Sequence, residues 1–223
     1  MNPGQVALML PNLIVPTLTR YDLLERLLDS ITFPVDHLVI IDNGGKWKTE
    51  YEHTFVDVVT VLRMPANLGV AGSWNLGVKC FPHDPFWAFA SDDAYFLPGS
   101  LAAMADTGPD EIRLSKGAPH WQAFTVGENL IRRVGLWCEG FHPAYFEDTD
   151  WERRARAENV TAQQVLNVGH NNSSTLKGSQ QFQNRNTETY RLNSRLFEQR
   201  RSEDTQDAGQ WDLDRRRRLE WLR

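Results

Sequence analysis

The sequence holds only 2 cysteines, Cys80 and Cys138, among 223 residues. That scarcity excludes a disulfide framework and suits a reducing compartment, so both thiols are expected free. Long apolar runs are equally missing. No stretch approaches the roughly 18 consecutive apolar residues of a spanning helix, so no membrane insertion is expected. The apolar start, residues 6–15, is interrupted by Pro11 and Asn12 and lacks a basic leader or a small-residue cleavage site, unlike a signal peptide. A cytoplasmic protein is the expectation. Positive charge is not in excess either: a formal net charge of -5 argues against a protein that coats nucleic acid. The charge is uneven, however. Residues 176–223 carry 11 Lys/Arg against 8 Asp/Glu, leaving 13 against 21 before them. A basic tail follows an acidic body. At 41% hydrophobic and 24% charged residues, the body has ordinary globular composition, enough for one substantial core.

Strand and helix signals alternate along the body. Leu13-Ile14-Val15 reads as a short strand followed by a loop, Pro16-Thr17-Leu18-Thr19-Arg20. Leu24, Leu27, Leu28 and Ile31 then recur at helical spacing. Thr19 and Asp22 suggest a capping box, and Pro34 an end. Leu38-Val39-Ile40-Ile41 is the continuous apolar run of a strand covered on both faces, with Asp42-Asn43-Gly44-Gly45 as its turn. A third strand is expected over residues 56–62, a helix over 70–79, and a fourth strand, Phe86-Trp87-Ala88-Phe89-Ala90. This order predicts right-handed crossovers and an α/β, Rossmann-like, mostly parallel central sheet flanked by helices. Ligands collect beyond the carboxyl ends of such strands, where Thr17, Arg20, Asp42, Asn43, Asn67, Asp92 and Asp93 fall. Farther on, Pro98 is expected to open a helix over 100–105. Residues 120–126 read as a strand, 128–134 as a helical turn or two, and the aromatic stretch 136–146 as a pocket wall. A helix over 149–158 and a strand over 165–168 complete a domain spanning 1–176. Residues 177–223 form a polar, Arg-rich extension, helical or partly disordered, suited to self-association as a homodimer.

The chemistry concentrates in acids. Ser91-Asp92-Asp93 follows a buried strand, and adjacent carboxylates there repel one another unless a cation neutralises them. A divalent ion held by one or two carboxylates and phosphate oxygens needs no full protein cage, and it offsets charge on a departing diphosphate. The bland reading is a turn with helix-capping acids. Glu147-Asp148-Thr149-Asp150 opens a helix, where acids favour the positive end of the dipole; a carboxylate held there is also placed to act as a base. His170 sits in a polar loop, Gly169 to Thr175, whose small donors suit phosphate oxygens, and its imidazole can complete a metal shell begun by Asp93. A lone histidine is more often structural. Together these groups indicate a metal-dependent sugar transferase.

The segments Leu13 to Arg20, Leu38 to Gly45, Asn67-Leu68-Gly69-Val70-Ala71-Gly72-Ser73-Trp74-Asn75-Leu76-Gly77, Ser91-Asp92-Asp93 and Phe146-Glu147-Asp148-Thr149-Asp150-Trp151 resemble, in order and spacing, the family 2 glycosyltransferases of the GT-A fold. The resemblance covers roughly residues 10–176. It implies inverting transfer from a nucleotide-diphosphate sugar with Mn2+ or Mg2+. By that resemblance Pro16, Thr17, Arg20 and Asp42 hold the nucleoside, with Asp42 reading the base edge; Asn43, Asn67, Gly69, Trp74 and Asn75 shape the nucleotide pocket. Asp92 approaches the ribose or an ordered water and is a further candidate for the metal, Asp93 binds the metal under the diphosphate, and His170 helps bind the metal or diphosphate. Ser91 stands where the family often has another acid. Asp148 matches the general base, with Glu147 and Asp150 as rivals. The lack of a long C-terminal region or membrane helices points to a soluble acceptor: a protein, a small molecule or a modified nucleic acid. Compact relatives of this kind are also encoded by bacteriophages, which would place the protein in the host cytoplasm. Two other readings compete: a nucleotidyltransferase, disfavoured because residues 16–20 hold no glycine for a phosphate loop, and a noncatalytic nucleotide-sugar binding protein.

Overall fold

The computed structural model describes residues 8–48, 50–170 and 180–206. Its centre is a seven-stranded sheet in the order β3-β2-β1-β4-β7-β6-β8. β1 (Leu10–Thr17), β2 (Val35–Asp42), β3 (Val56–Arg63) and β4 (Phe86–Ala90) run parallel. β7 (Ala123–Gly127) is antiparallel to both β4 and β6 (Ile112–Ser115), and β8 (Gln163–Leu166) is parallel to β6. The sheet is mixed but mostly parallel.

β1 runs straight through Asn12, which the sequence reading treats as an interruption. The side chain is fully buried, and its amide donates to the Phe86 carbonyl at 2.9 Å while accepting from the Ala88 N–H at 2.9 Å. A side chain thus takes the part of a missing ladder rung, since β1 and β4 register only at Ile14 and Phe89.

Apolar layers cover both faces. On one, α1 (Tyr21–Asp29) and α3 (Ser100–Ala105) seat Leu24, Leu27, Leu28, Leu101 and Met104 against β1 and β2. On the other, α2 (Gly69–Cys80), α4 (Glu128–Val134) and α5 (Glu147–Ala157) close over an aromatic cluster of Trp74, Phe89, Trp121, Phe124, Trp137 and Trp151. Gly77 lets α2 lie close to β1, because a Cβ there would fall 2.7 Å from Cγ2 of Ile14.

Several local expectations are corrected. The capping box on α1 does not form: Arg20 occupies the N-cap position, and Asp22 pairs with it at 2.6 Å. The helix stops at Asp29 rather than near Pro34. Pro98 precedes α3 without joining it, and Gly99 caps that helix at φ 85°. Residues 120–126 split into a 3-10 turn, His120–Gln122, and β7. Residues 165–168 straddle two strands, β8 and β9 (Val168–His170), and β9 pairs antiparallel with the unforeseen β5 (Ala94–Phe96). Within the stretch expected to form a pocket wall, Trp137 and Phe141 are fully buried core. Beyond β9, α6 spans Gln180–Ser202. Among the described residues, no helix is long and apolar enough to cross a membrane.

Candidate active site

The carboxyl ends of β1, β2 and β4 lie side by side because those strands are parallel neighbours. Thr17 ends β1, and its hydroxyl donates to Asp92 Oδ2 at 2.7 Å. Arg20 feels the charges of Asp92 and Asp93 as well as its partner Asp22. Burial, and secondarily the charge of Asp93, pushes the Asp92 carboxyl up to about 7.

Asp93 leads directly into β5, and the β5–β9 ladder sets Ala94 opposite His170. His170 Nε2 consequently lies 3.0 Å from Asp93 Oδ1, both side chains being largely buried. Gly169 makes this pairing possible, since a Cβ there would stand 2.0 Å from the Tyr95 ring. One carboxylate and one imidazole thus converge from positions 77 residues apart in sequence. Among the described residues no group of three or more His, Cys, Asp or Glu forms a cage. The Asp93–His170 pair fits a hard divalent ion that takes its remaining ligands from water and phosphate oxygens. Asp92 belongs instead with Thr17. The polar residues Asn171 to Thr175, expected around phosphate, lie outside the described residues.

The other donor-side candidates divide into two sets. Asp42 is fully buried and accepts from four donors: the Tyr21 hydroxyl at 2.8 Å and the N–H groups of Gly44, Gly45 and Trp47 at 3.1, 2.9 and 2.7 Å. Its carboxylate organises the turn after β2. Asn43 carries that turn to α2, donating to the Ser73 hydroxyl and accepting from the Leu68 N–H, both at 2.9 Å. Asn67 accepts from the Gly69 N–H at 2.9 Å, and its carbonyl meets His142 Nε2 at 3.0 Å. Pro16 pairs with Ile41 in the ladder, and the Ser91 N–H donates to the Gln122 carbonyl at 2.8 Å. Trp74 is core, with Phe124 4.9 Å away edge to face. Asn75 is fully buried and clamps the loop beyond α4, donating to the Trp137 carbonyl and to Glu139, each at 2.8 Å.

Gly69 holds φ 74° where the chain enters α2, and a Cβ there would stand 2.8 Å from the Pro143 carbonyl oxygen. Gly69→Ala is therefore expected to cost about 1 to 3 kcal/mol, visible as a melting midpoint lowered by about 2–4 °C per kcal/mol. An unchanged midpoint would show that the approach of this loop to α2 relaxes freely.

The acidic helix α5 begins at Glu147, two residues earlier than its expected start. Tyr145 and Phe146 precede it with φ 78° and 74°, consecutive left-handed conformations that bulky side chains rarely adopt. The three acids have different surroundings. Glu147 is buried, its Oε2 finds no hydrogen-bond partner among the described residues, and burial pushes its carboxyl well above the usual range. Asp148 is partly exposed, accepts from the Thr149 N–H at 2.6 Å, and is pushed up by burial. Asp150 is fully buried among arginines, with Arg154 Nε at 3.0 Å, Arg200 Nε at 3.1 Å and Arg153 at 3.3 Å. Of the three, Asp150 is the one held in ion pairs.

The 3-10 turn couples α5 to the metal-site candidates. Trp121 Nε1 donates to Glu152 at 2.7 Å, while Gln122 accepts from Ser91 and donates to the Val168 carbonyl at 3.3 Å. Gln122 had no sequence signal, being one polar residue in an apolar stretch. A cavity of ≈ 530 Å³ runs along α5 past His120, Glu152, Arg156 and Gln164, and none of Asp92, Asp93 or His170 lines it. The site is therefore defined by its carboxylates and imidazole, not by that cavity.

A mixed sheet with acids at the end of its fourth strand and helices on both faces defines the GT-A architecture. S. aureus TarS 1-349 in complex with UDP is similar at TM-score 0.53 and 17% identity, over 71% of this chain and 59% of that one. The Drosophila β1,4-galactosyltransferase 7 catalytic domain with xylobiose gives 0.50 and 12%, over 75% and 72%. A mutant of that protein with manganese, UDP-Gal and xylobiose gives 0.51 and 12%, over 76% and 74%. The chain thus spans about three fifths of the TarS fragment. No curated protein matches it. Residues 12–108 match the model of glycosyl transferase family 2. The chain thus shares the fold of these structures, and its first half resembles the family 2 glycosyltransferases.

Proposed function

We propose that this protein is an inverting, metal-dependent glycosyltransferase that moves a sugar from a nucleotide-diphosphate donor to an acceptor hydroxyl. The observation that carries the reading is the Asp93–His170 pair, 3.0 Å apart at the carboxyl edge of the sheet, with Asp93 inside the residues that match the family 2 model. Relatives of the same fold were crystallised with UDP and with manganese and UDP-Gal, which supports Mn2+ or Mg2+ beneath a diphosphate.

In the reaction the acceptor oxygen forms a bond to the anomeric carbon as the bond from that carbon to the diphosphate breaks. Asp148 takes the acceptor proton, and the nucleoside diphosphate leaves with the bonding electrons. A bound divalent ion supplies charge neutralisation for the leaving diphosphate. Thr17 fixes Asp92 beside the donor, and Arg20 adds positive charge there. Asp42 shapes the turn that receives the nucleoside rather than reading its base. Asp150 anchors the helix rather than accepting a proton.

The test is incubation of the purified chain with Mn2+ and a panel of nucleotide sugars across pH. Slow release of free nucleotide is expected. Because burial raises Asp148, it stays protonated to a higher pH than an ordinary aspartate near about 3.9. Turnover should accordingly rise with pH along a limb centred above that value. Binding without turnover would leave a noncatalytic nucleotide-sugar binding protein.

A further inference from the structure

We infer that Asn193, on α6, is a positioning residue that holds the loop carrying the base carboxylate in its working conformation. Its Nδ2 donates to the Ala144 carbonyl at 2.7 Å and to the Tyr145 carbonyl at 3.3 Å, and the residue is nearly fully buried. The inference rests on the transferase reading and adds to it a part of the chain outside the family match.

The loop it grips needs external support. Tyr145 and Phe146 are both left-handed, and their conformation sets the direction in which Glu147 and Asp148 leave the chain. Such backbone persists only where its surroundings over-determine it. α6 supplies those surroundings along one stripe. Asn186 bonds the Tyr145 side chain, Tyr190 packs on Tyr145 and Phe146 at 5.6 and 5.0 Å, and Phe197 stacks on Phe146 at 5.5 Å. Arg200 ends the stripe on Asp150, just inside α5. Steps of three and four residues set all these positions on one helical face. Asn193 bonds the loop's main chain and so fixes the carbonyls of Ala144 and Tyr145, with Phe146 alone between them and the acids.

A group displaced by about 1 Å can cost on the order of 10²-fold in rate while leaving remote binding intact. Asn193→Leu keeps the bulk without a donor, Asn193→Asp keeps the shape without a donor, and Asn193→Ser keeps a shorter donor. The experiment measures nucleotide release from the best nucleotide sugar with Mn2+, the calorimetric affinity for the free nucleoside diphosphate, and the melting midpoint. The expected result is a kcat about 10-fold or more lower for the Leu and Asp forms, nucleotide affinity unchanged, and an intermediate kcat for Ser. Should the Leu form not fold, the Asp and Ser forms carry the same comparison. An active wild type matched in kcat by Asn193→Asp overturns this inference alone, as does a loss confined to nucleotide affinity. A wild type that releases no nucleotide from any donor overturns both this inference and the transferase reading.

Discussion

Asp148→Asn is expected to lower turnover by about 10²-fold or more while nucleotide-sugar affinity is kept. Asp150 cannot serve, because its carboxylate is fully buried and shared among Arg153, Arg154 and Arg200. Glu147 is more deeply buried than Asp148, and burial pushes its carboxyl well above the usual range. Asp148 retains some exposure and one free oxygen, since the bonds from Thr149 fall on Oδ1 alone. An amide in its place keeps the shape and the contact with Thr149's hydroxyl but cannot take a proton. Steady-state release of nucleotide with and without acceptor, beside calorimetric titration of the donor, measures the two effects separately. Glu147→Gln is the control, expected to cost less. Near-normal turnover in Asp148→Asn together with a large loss in Glu147→Gln would reassign the base.

Removal of divalent metal is expected to abolish donor binding. Two phosphates brought beside Asp93 would meet like charge, and Arg20 is partly engaged by Asp22 at 2.6 Å. A cation held by Asp93 and His170 reverses that balance. Titration of UDP, GDP or TDP sugars in excess chelator should therefore give no heat of binding, with recovery on adding Mn2+. Asp93→Asn should reproduce the chelated state even with metal present, because a neutral amide is a weak ligand for a hard ion. Full donor affinity in chelator would remove the metal from the binding step.

The parallel half of the sheet was legible because its strands are written as uninterrupted apolar runs. Phe86–Ala90, buried on both faces, is recovered to the residue, as is Ser100–Ala105. What escaped notice is encoded nonlocally. β5 and β9 span three residues each, too short for any periodicity, yet they bring His170 to Asp93. Asn12 reads as a break in an apolar run and is in fact a rung of the sheet. Asp148 and Asp150 are indistinguishable as neighbouring acids; the second is set apart by Arg200, 50 residues away in the chain. The face of α6 that matters is built from Asn186, Tyr190, Asn193, Phe197 and Arg200, mostly polar or amphipathic side chains. A search for apolar spacing selects Leu192 instead, which is 49% exposed.

The arginine-ringed Asp150 has a bearing on how this chain can be shortened. Cutting at Gly178 would take Arg200 from a fully interior carboxylate, leaving Arg153 and Arg154 beside it, and would uncover the rings of Tyr145 and Phe146; removing a partner from an interior ion cluster is destabilising. α6 is therefore no detachable appendage: a trimmed version would lose its fastening at the left-handed pair that opens α5.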